Sequence, residues 1–232
     1  MDFQAVNDID RSILGVFNDN HSLFFDTLMV TLTSGLTWVP LYVALLFLVM
    51  KNNETMEQVF MVVAGCALCF CMTELITEGI VKPTFARPRP GSDPEWMQVV
   101  HVVNDRRGTD YSFFSAHASN TFGISMFFCL LVRNRVLSLL MISWALVNCY
   151  TRLYLAMHYP TDILMGIIFG SVVGIFAYFV YWLATRKINR GQHYISSQYT
   201  STGYNVSDVD VVASVLVASY ALAIIYSLLM QG

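Results

Sequence analysis

Long apolar stretches separated by short polar segments dominate this sequence. A bilayer core about 30 Å thick needs a helix of about 20 apolar residues, which sets the expected length of each span. Six stretches are candidates, with irregularities expected at Gly35 and Pro40, and the third and fourth are short unless flanking residues extend them. The predicted spans are His21–Met50, Val59–Val81, Ala118–Val132, Val136–Tyr150, Ile163–Ala184 and Val209–Met230. The pattern predicts an all-α membrane bundle of about six transmembrane helices, forming one domain over residues 1–232.

The first 20 residues carry apolar side chains at roughly helical spacing. These side chains are Phe3, Val6, Ile9, Ile13, Leu14 and Phe17. The spacing predicts an amphipathic helix at the membrane interface, and a soluble N-terminal cap is the alternative. The N-terminus is acidic and polar rather than basic and then apolar, so no cleavable signal peptide is expected.

The composition agrees with a membrane protein. The chain is 56% hydrophobic and only 12% charged, which is too apolar for an ordinary soluble domain. A formal net charge of −3 argues against a nucleic-acid partner. Cys66 and Cys69 have the spacing of half a zinc site, but no second pair of ligands accompanies them. We interpret the cysteines as reduced packing residues and expect no bound metal.

The segment between the fourth and fifth predicted spans holds Arg152, His158 and Asp162. Pro160 suits the first turn of a helix, where its missing N–H costs nothing. His158 would then lie just outside a helix N-terminus, with Asp162 one turn inside and within reach of the imidazole. A helix N-terminus attracts anions, so this arrangement indicates phosphoryl chemistry. A surface loop with three polar residues is the alternative.

Two further polar clusters lie on the same side of the membrane in the six-span layout. Lys82 and Arg89 follow the second span, and the prolines between and after them hold the two cations apart. Ser115 can cap the third span, with His117 in its first turn. The alternatives are a basic cluster that binds lipid headgroups and an interfacial histidine. The coincidence of three clusters on one side favours a functional site.

The three clusters resemble the signature of the type 2 phosphatidic acid phosphatase (PAP2) superfamily of membrane phosphatases. That signature is Lys-x6-Arg-Pro, then Pro-Ser-Gly-His, then Ser-Arg-x5-His-x3-Asp. The second motif departs from it at Phe114 and Ala116, and the third at Thr151. The remaining motif positions match, at Lys82, Arg89, Pro90, Ser115, His117, Arg152, His158 and Asp162.

The resemblance implies a reaction through a phosphohistidine. His158, oriented by Asp162, would attack phosphorus, and His117 would protonate the leaving oxygen and then activate water. The groups expected to bind the phosphate oxygens are Lys82, Arg89, Ser115 and Arg152. No metal or other cofactor is expected, because three cations take the place of a metal.

Residues outside the three motifs are predicted to support the site or to pack the helices. Glu74, Glu78 and Lys82 share a helix face, and an ion pair between Glu78 and Lys82 is favoured over a substrate role. Arg106 and Arg107 are further accessory candidates, for a second phosphate. Glycines at four-residue spacing in the fifth span predict close packing against a neighbouring helix. These glycines are Gly166, Gly170 and Gly174.

The expected substrate is a lipid phosphate monoester within the bilayer, such as a lipid A phosphate or a phosphatidate-type lipid. A prenyl diphosphate and phosphotransfer between lipids are enzymatic alternatives, and an anion or lipid transporter is the non-enzymatic one. No obligate protein partner is expected. Lysine and arginine positions place the 83–114 loop outside the cytoplasm, which predicts an inner-membrane protein with an extracytoplasmic site.

Overall fold

The computed structural model describes residues 3–105, 107, 108, 110–186 and 197–231. Most of these residues are helical, and they form no β-sheet. The helices are α1 (Phe3–Asn18), α2 (Leu23–Leu32), α3 (Val39–Lys51), α4 (Met56–Ile76), α5 (Lys82–Phe85), α6 (Ala116–Val132), α7 (Arg135–Tyr154), α8 (Pro160–Thr185) and α9 (Val206–Leu229). Part of the polar stretch before α9, including Arg190, lies outside the described residues.

The described helices confirm a multi-pass membrane bundle. Four segments, which contain α4, α7, α8 and α9, are long and apolar enough to cross a membrane. The α2–α3 pair would make a fifth span, although the two helices are bent by 64°. The predicted third span forms α6, which is apolar but has only 17 residues. The count of six spans therefore stays a prediction.

The bend between α2 and α3 lies where the sequence predicts an irregularity. A short 3₁₀ turn, Gly35–Trp38, separates the two helices, and Pro40 occupies the first turn of α3. The buried Trp38 side chain donates from Nε1 to the Leu32 carbonyl oxygen at 2.8 Å, which satisfies a carbonyl that the broken helix leaves open. The break places Thr33, the C-cap of α2, against the functional site described below.

The second span is predicted to end at Val81, but the helical backbone continues beyond that residue. A π-helical turn, Thr77–Val81, follows α4, and the chain continues as α5 as far as Phe85. Proline is tolerated here because it lies in the first turn of α5, where its N–H is not required. The loop consequently starts at Ala86, which has a left-handed backbone (φ 45°).

The predicted close packing of the fifth span is confirmed, and its neighbour is α6. A β-carbon added at Gly170 would lie 2.2 Å from the Ser119 carbonyl oxygen. One added at Gly174 would lie 2.3 Å from the carbonyl oxygen of Gly123. Only glycine permits this backbone contact, so α6 and α8 are held at a short, fixed separation.

Different polar residues lie at the two ends of the helical bundle. At one end, Lys51 Nζ lies 2.6 Å from Asp208 Oδ1, and Thr202 Oγ1 donates to the Val132 carbonyl oxygen at 2.9 Å. The three sequence clusters lie at the opposite end, together with the loop that follows α5. Helix α1 packs against α7 and α8 at that end.

Candidate active site

Direct contacts join the three sequence clusters. Arg89 donates from Nη1 to the Met157 carbonyl oxygen at 3.4 Å, which links the first cluster to the third. The Ser115 N–H donates to the Asp162 carbonyl oxygen at 3.1 Å, which links the second to the third. The side chains of Lys82, Arg89, Arg152, His158 and Asp162 are buried. The structure therefore brings the predicted site residues together in a single polar cluster.

His158 lies just before α8, as Pro160 predicts. Pro160 begins the helix, and Asp162 Oδ2 accepts the N–H of Tyr159 at 2.9 Å, which caps its first turn. The Nδ1 atom of His158 lies 2.9 Å from the carbonyl oxygen of Ser112. A carbonyl can only accept, so Nδ1 carries the proton and the lone pair is on Nε2. This tautomer is the one that a nucleophilic imidazole needs.

Asp162 contacts the imidazole less directly than the sequence suggests. Its Oδ2 atom is 3.9 Å from His158 Nδ1, which is an ion-pair distance rather than a hydrogen bond. Ser112 lies between them, because its hydroxyl donates to Asp162 Oδ2 while its carbonyl accepts from His158. The carbonyl thus fixes the tautomer, and the carboxylate supplies negative charge to the imidazolium form.

Burial decides the protonation state of His158. It lowers the pKa of the imidazole to about 3, against the effect of Asp162, and the positive charges of Arg152 and Arg89 also lower this pKa. A group with so low a pKa is neutral at physiological pH. His158 is therefore uncharged and able to attack an electrophilic phosphorus.

The three predicted cations are held by protein acceptors. Lys82 Nζ lies 2.5 Å from Glu78 Oε1, so the predicted ion pair is present. Arg89 donates from Nε to the Asp110 carbonyl oxygen at 3.1 Å. Arg152 donates from Nη1 to the Thr33 hydroxyl at 2.9 Å. Such contacts fix the cations before a phosphate arrives, which is the preorganisation that stabilises developing charge.

His117 occupies the first turn of α6, as predicted. Ser115 is the N-cap, and its hydroxyl accepts the Ala118 N–H at 3.3 Å. The Nε2 atom of His117 lies 3.4 Å from the Thr33 carbonyl oxygen. Thr33 therefore contacts both His117 and Arg152, through two different oxygens. It was not identified from the sequence, because a threonine inside an apolar span carries no recognisable signal.

Arg87 is a second residue that sequence analysis missed. It lies between Lys82 and Arg89, and its Nη1 atom donates to Asp162 Oδ1 at 2.7 Å. Of the two accessory arginines, Arg107 is half-exposed and donates from Nε to Asp105 Oδ1 at 3.0 Å. Arg106 lies outside the described residues.

Comparison with known proteins agrees with this geometry. The PAP2 superfamily matches residues 61–186, which is more than half of the chain. The chain belongs to the PAP2 superfamily. It is 37% identical to a lipid A 4'-phosphatase of Bacteroides thetaiotaomicron over 187 residues, covering 80% of this chain and 82% of that protein. A lipid A 4'-phosphatase of Porphyromonas gingivalis is 29% identical over 184 residues, covering 79% and 78%.

A solved structure supports the same fold. The PAP2-type phosphatidylglycerolphosphate phosphatase of Bacillus subtilis superimposes with a TM-score of 0.58 at 20% identity, covering 81% of this chain and 90% of that one. This PAP2 protein is thus a multi-pass membrane enzyme of the phosphomonoesterase class, and its substrate is a lipid phosphate.

The role of Thr33 gives a prediction. Thr33→Val removes the hydroxyl that accepts from Arg152 and leaves the backbone carbonyl near His117 in place. Loss of one hydrogen bond to a charged group should lower kcat/KM for a lipid phosphate by about tenfold or more. Phosphate release from detergent-solubilised enzyme measures this effect.

Thr31→Val is the matched control, because the Thr31 hydroxyl donates to the Thr27 carbonyl within its own helix at 2.7 Å. The control should retain nearly full kcat/KM. Equal losses in both variants would mean that a valine at this end of α2 disturbs the local structure and that the Thr33 hydroxyl has no particular role.

Proposed function

We propose that the enzyme hydrolyses a phosphate monoester of lipid A, through a phosphohistidine on His158. The observation that carries the chemistry is a buried, neutral imidazole with its proton fixed on Nδ1, set among three cations. The lipid A assignment is supported by the two lipid A 4'-phosphatases, each similar to this chain over about four fifths of its length.

The first half of the proposed reaction transfers phosphate to the enzyme. The Nε2 lone pair of His158 attacks phosphorus, and the bond between phosphorus and the lipid oxygen breaks. His117 donates a proton to the departing oxygen, so the dephosphorylated lipid leaves as an alcohol. Lys82, Arg89 and Arg152 hold the nonbridging oxygens while charge moves from phosphorus to the leaving group.

The second half regenerates the enzyme. His117, now neutral, takes a proton from water, and the oxygen of that water attacks the phosphohistidine. The bond between nitrogen and phosphorus breaks, inorganic phosphate leaves, and His158 returns to its neutral form. Throughout, the negative charge of Asp162 stabilises the imidazolium character that His158 acquires when Nε2 is bonded to phosphorus.

An apolar cavity supports a lipid as the carrier of the phosphate. A cavity of about 530 Å³ lies among α3, α4, α6 and α7. Its lining includes Asn120 and Thr121, one helical turn from His117 on α6, and continues to Phe128 and Trp144. In the proposal an acyl chain occupies this cavity, and the phosphate reaches the cations at the end of the bundle.

The proposed location is the inner membrane, with the active site on the extracytoplasmic side. The opposite end of the bundle carries Lys51, Arg133, Arg135 and Arg186, which have no part in the proposed reaction. Lysine and arginine in short connections favour the cytoplasmic side. Lipid A phosphates would then be reached after the lipid has crossed to the outer leaflet.

The substrate proposal is tested by comparing turnover on pure lipids. Phosphate release in detergent should be at least about tenfold faster in kcat/KM on lipid A than on a phosphatidate or a prenyl diphosphate, because differential binding sets specificity. A strong chelator should leave the rate unchanged. Faster turnover of either other lipid would overturn the lipid A assignment, and loss of activity restored by magnesium would overturn the cation-based mechanism.

The phosphohistidine is tested by rapid quenching with labelled substrate. Wild-type enzyme should carry label that is stable in alkali and labile in acid, and His158→Ala should carry none. His101→Ala is the control, since His101 is an exposed loop residue, and it should label like the wild type. Label retained on folded His158→Ala protein would remove the nucleophile assignment.

Sidedness is tested with single cysteines in a background lacking the native five. Gln98→Cys places a thiol in the exposed loop at the active-site end, and Glu54→Cys places one at the opposite end. An impermeant thiol reagent should label the first in intact cells and the second only after lysis. The reverse pattern would put the active site in the cytoplasm without altering the chemistry.

A further inference from the structure

Arg87 joins the catalytic carboxylate to the N-terminal helix. Its Nη1 atom donates to Asp162 Oδ1 at 2.7 Å, and its Nη2 atom donates to Asp10 Oδ2 at 2.7 Å. The guanidinium also stacks 4.0 Å from the ring centroid of Tyr159, the residue that follows His158. These contacts fix the plane of the arginine, so both of its ion pairs are held in one geometry.

Asp10 is a buried carboxylate on α1, with only 1% of its surface exposed. Besides Arg87, it binds the first turn of α8: Oδ1 accepts the Thr161 N–H at 2.9 Å, and Oδ2 accepts the Thr161 hydroxyl. A buried charge is costly unless it is paired and hydrogen-bonded, and every contact here is of that kind. Helix α1 is therefore tied to the helix start that orients His158.

The charges explain why two carboxylates share one arginine. Asp162 is fully buried, and a buried carboxylate is costly unless a cation and hydrogen-bond donors compensate its charge. An arginine paired with Asp162 alone would cancel the negative charge next to His158. With Asp10 added, the three groups sum to one net negative charge. The arrangement compensates the burial of Asp162 and still leaves the imidazolium form of His158 a net negative neighbour.

We propose that Arg87 and Asp10 are positioning residues for the phosphoryl transfer, acting on His158 through Asp162. Neither residue contacts the phosphate in this proposal. The proposal gives α1 a role in positioning the active-site residues, beyond that of a peripheral membrane helix. The inference rests on the proposed role of His158 as nucleophile.

Arg11, the next residue on α1, supplies a matched control. It donates from Nη2 to Asp93 Oδ2 at 3.2 Å and to Glu95 Oε2 at 2.8 Å, so it ties the same helix to the same loop. Its contacts do not include Asp162. If α1 served only to hold the loop in place, loss of Arg11 and loss of Asp10 would have similar effects on turnover.

The experiment measures kcat and KM for Asp10→Asn, Arg87→Gln, Arg87→Lys and Arg11→Gln, using detergent-solubilised full-length enzyme. Loss of a charge-assisted bond to Asp162 should lower kcat about 10- to 100-fold in Arg87→Gln, with KM within about twofold of wild type. Arg87→Lys should recover part of kcat. Lysine restores the positive charge but cannot reproduce the two separate guanidinium contacts to Asp162 and Asp10. Asp10→Asn should lower kcat by less than Arg87→Gln.

Arg11→Gln should keep kcat near wild type, even if its thermal midpoint falls as far as that of Asp10→Asn. The double variant Asp10→Asn with Arg87→Gln should lose less than the product of the two single losses, since part of the effect of Asp10 passes through the arginine. Additive losses, or an equal kcat loss in Arg11→Gln, would overturn the positioning role.

A single-turnover measurement separates this inference from the proposed function. Rapid quenching should show His158 phosphorylation in the wild type and the same labelled product, formed about 10- to 100-fold more slowly, in Arg87→Gln. If the wild type forms no phosphohistidine, the proposed function fails. If it does and Arg87→Gln forms it at the wild-type rate, the proposed function stands and the positioning role fails.

Discussion

Compensation of buried charge is the constraint on which this site depends. A phosphate at the edge of an apolar bundle needs cations around it, yet each cation taken out of water is costly unless protein acceptors replace the lost hydration. Lys82 forms an ion pair with Glu78, and Arg87 forms ion pairs with two carboxylates. Arg89 donates to the Asp110 carbonyl, and Arg152 donates to the Thr33 hydroxyl. Glu78 lies one helical turn before Lys82, but the other acceptors lie far in sequence from the cations they bind, so the full cluster exists only when the bundle is assembled.

The contact between α6 and α8 converts that cluster into a geometry suited to two histidines. His117 is in the first turn of α6, and His158 lies just before the first residue of α8. Close backbone approach at Gly170 holds the helices together, and the hydrogen bond from Ser115 N–H to the Asp162 carbonyl joins their starts. In the proposed reaction His158 attacks phosphorus while His117 protonates the oxygen that leaves it, so a fixed separation between these helix starts serves the chemistry as well as the packing.

The sequence could predict residues whose role depends on local pattern. Pro160 marks a helix start, the spacing from Lys82 to Arg89 marks a rigid pair of cations, and Gly170 belongs to a periodic row that predicts close packing. Ser112 and Thr33 could not be found in this way. Each residue binds a site histidine through its backbone carbonyl, and every residue in the chain has such a group. Where that carbonyl points depends on the geometry of the loop and of the helix bend, which only the folded chain defines. The number of spans could not be predicted from local pattern either. A bent pair of helices and a helix too short to span the membrane both give an apolar stretch like that of a full transmembrane helix.

The supports of the site extend beyond the segment that defines the family. The PAP2 match covers residues 61–186, whereas Thr33 and Asp10 precede it. Thr33 holds Arg152, and Asp10 binds both Arg87 and the first turn of α8. The reactive groups within the matched segment therefore take part of their orientation from contacts outside it. On the proposed mechanism, two chains that share the motif residues can differ in how firmly Asp162 is held behind His158, and hence in rate, through changes in the N-terminal helix.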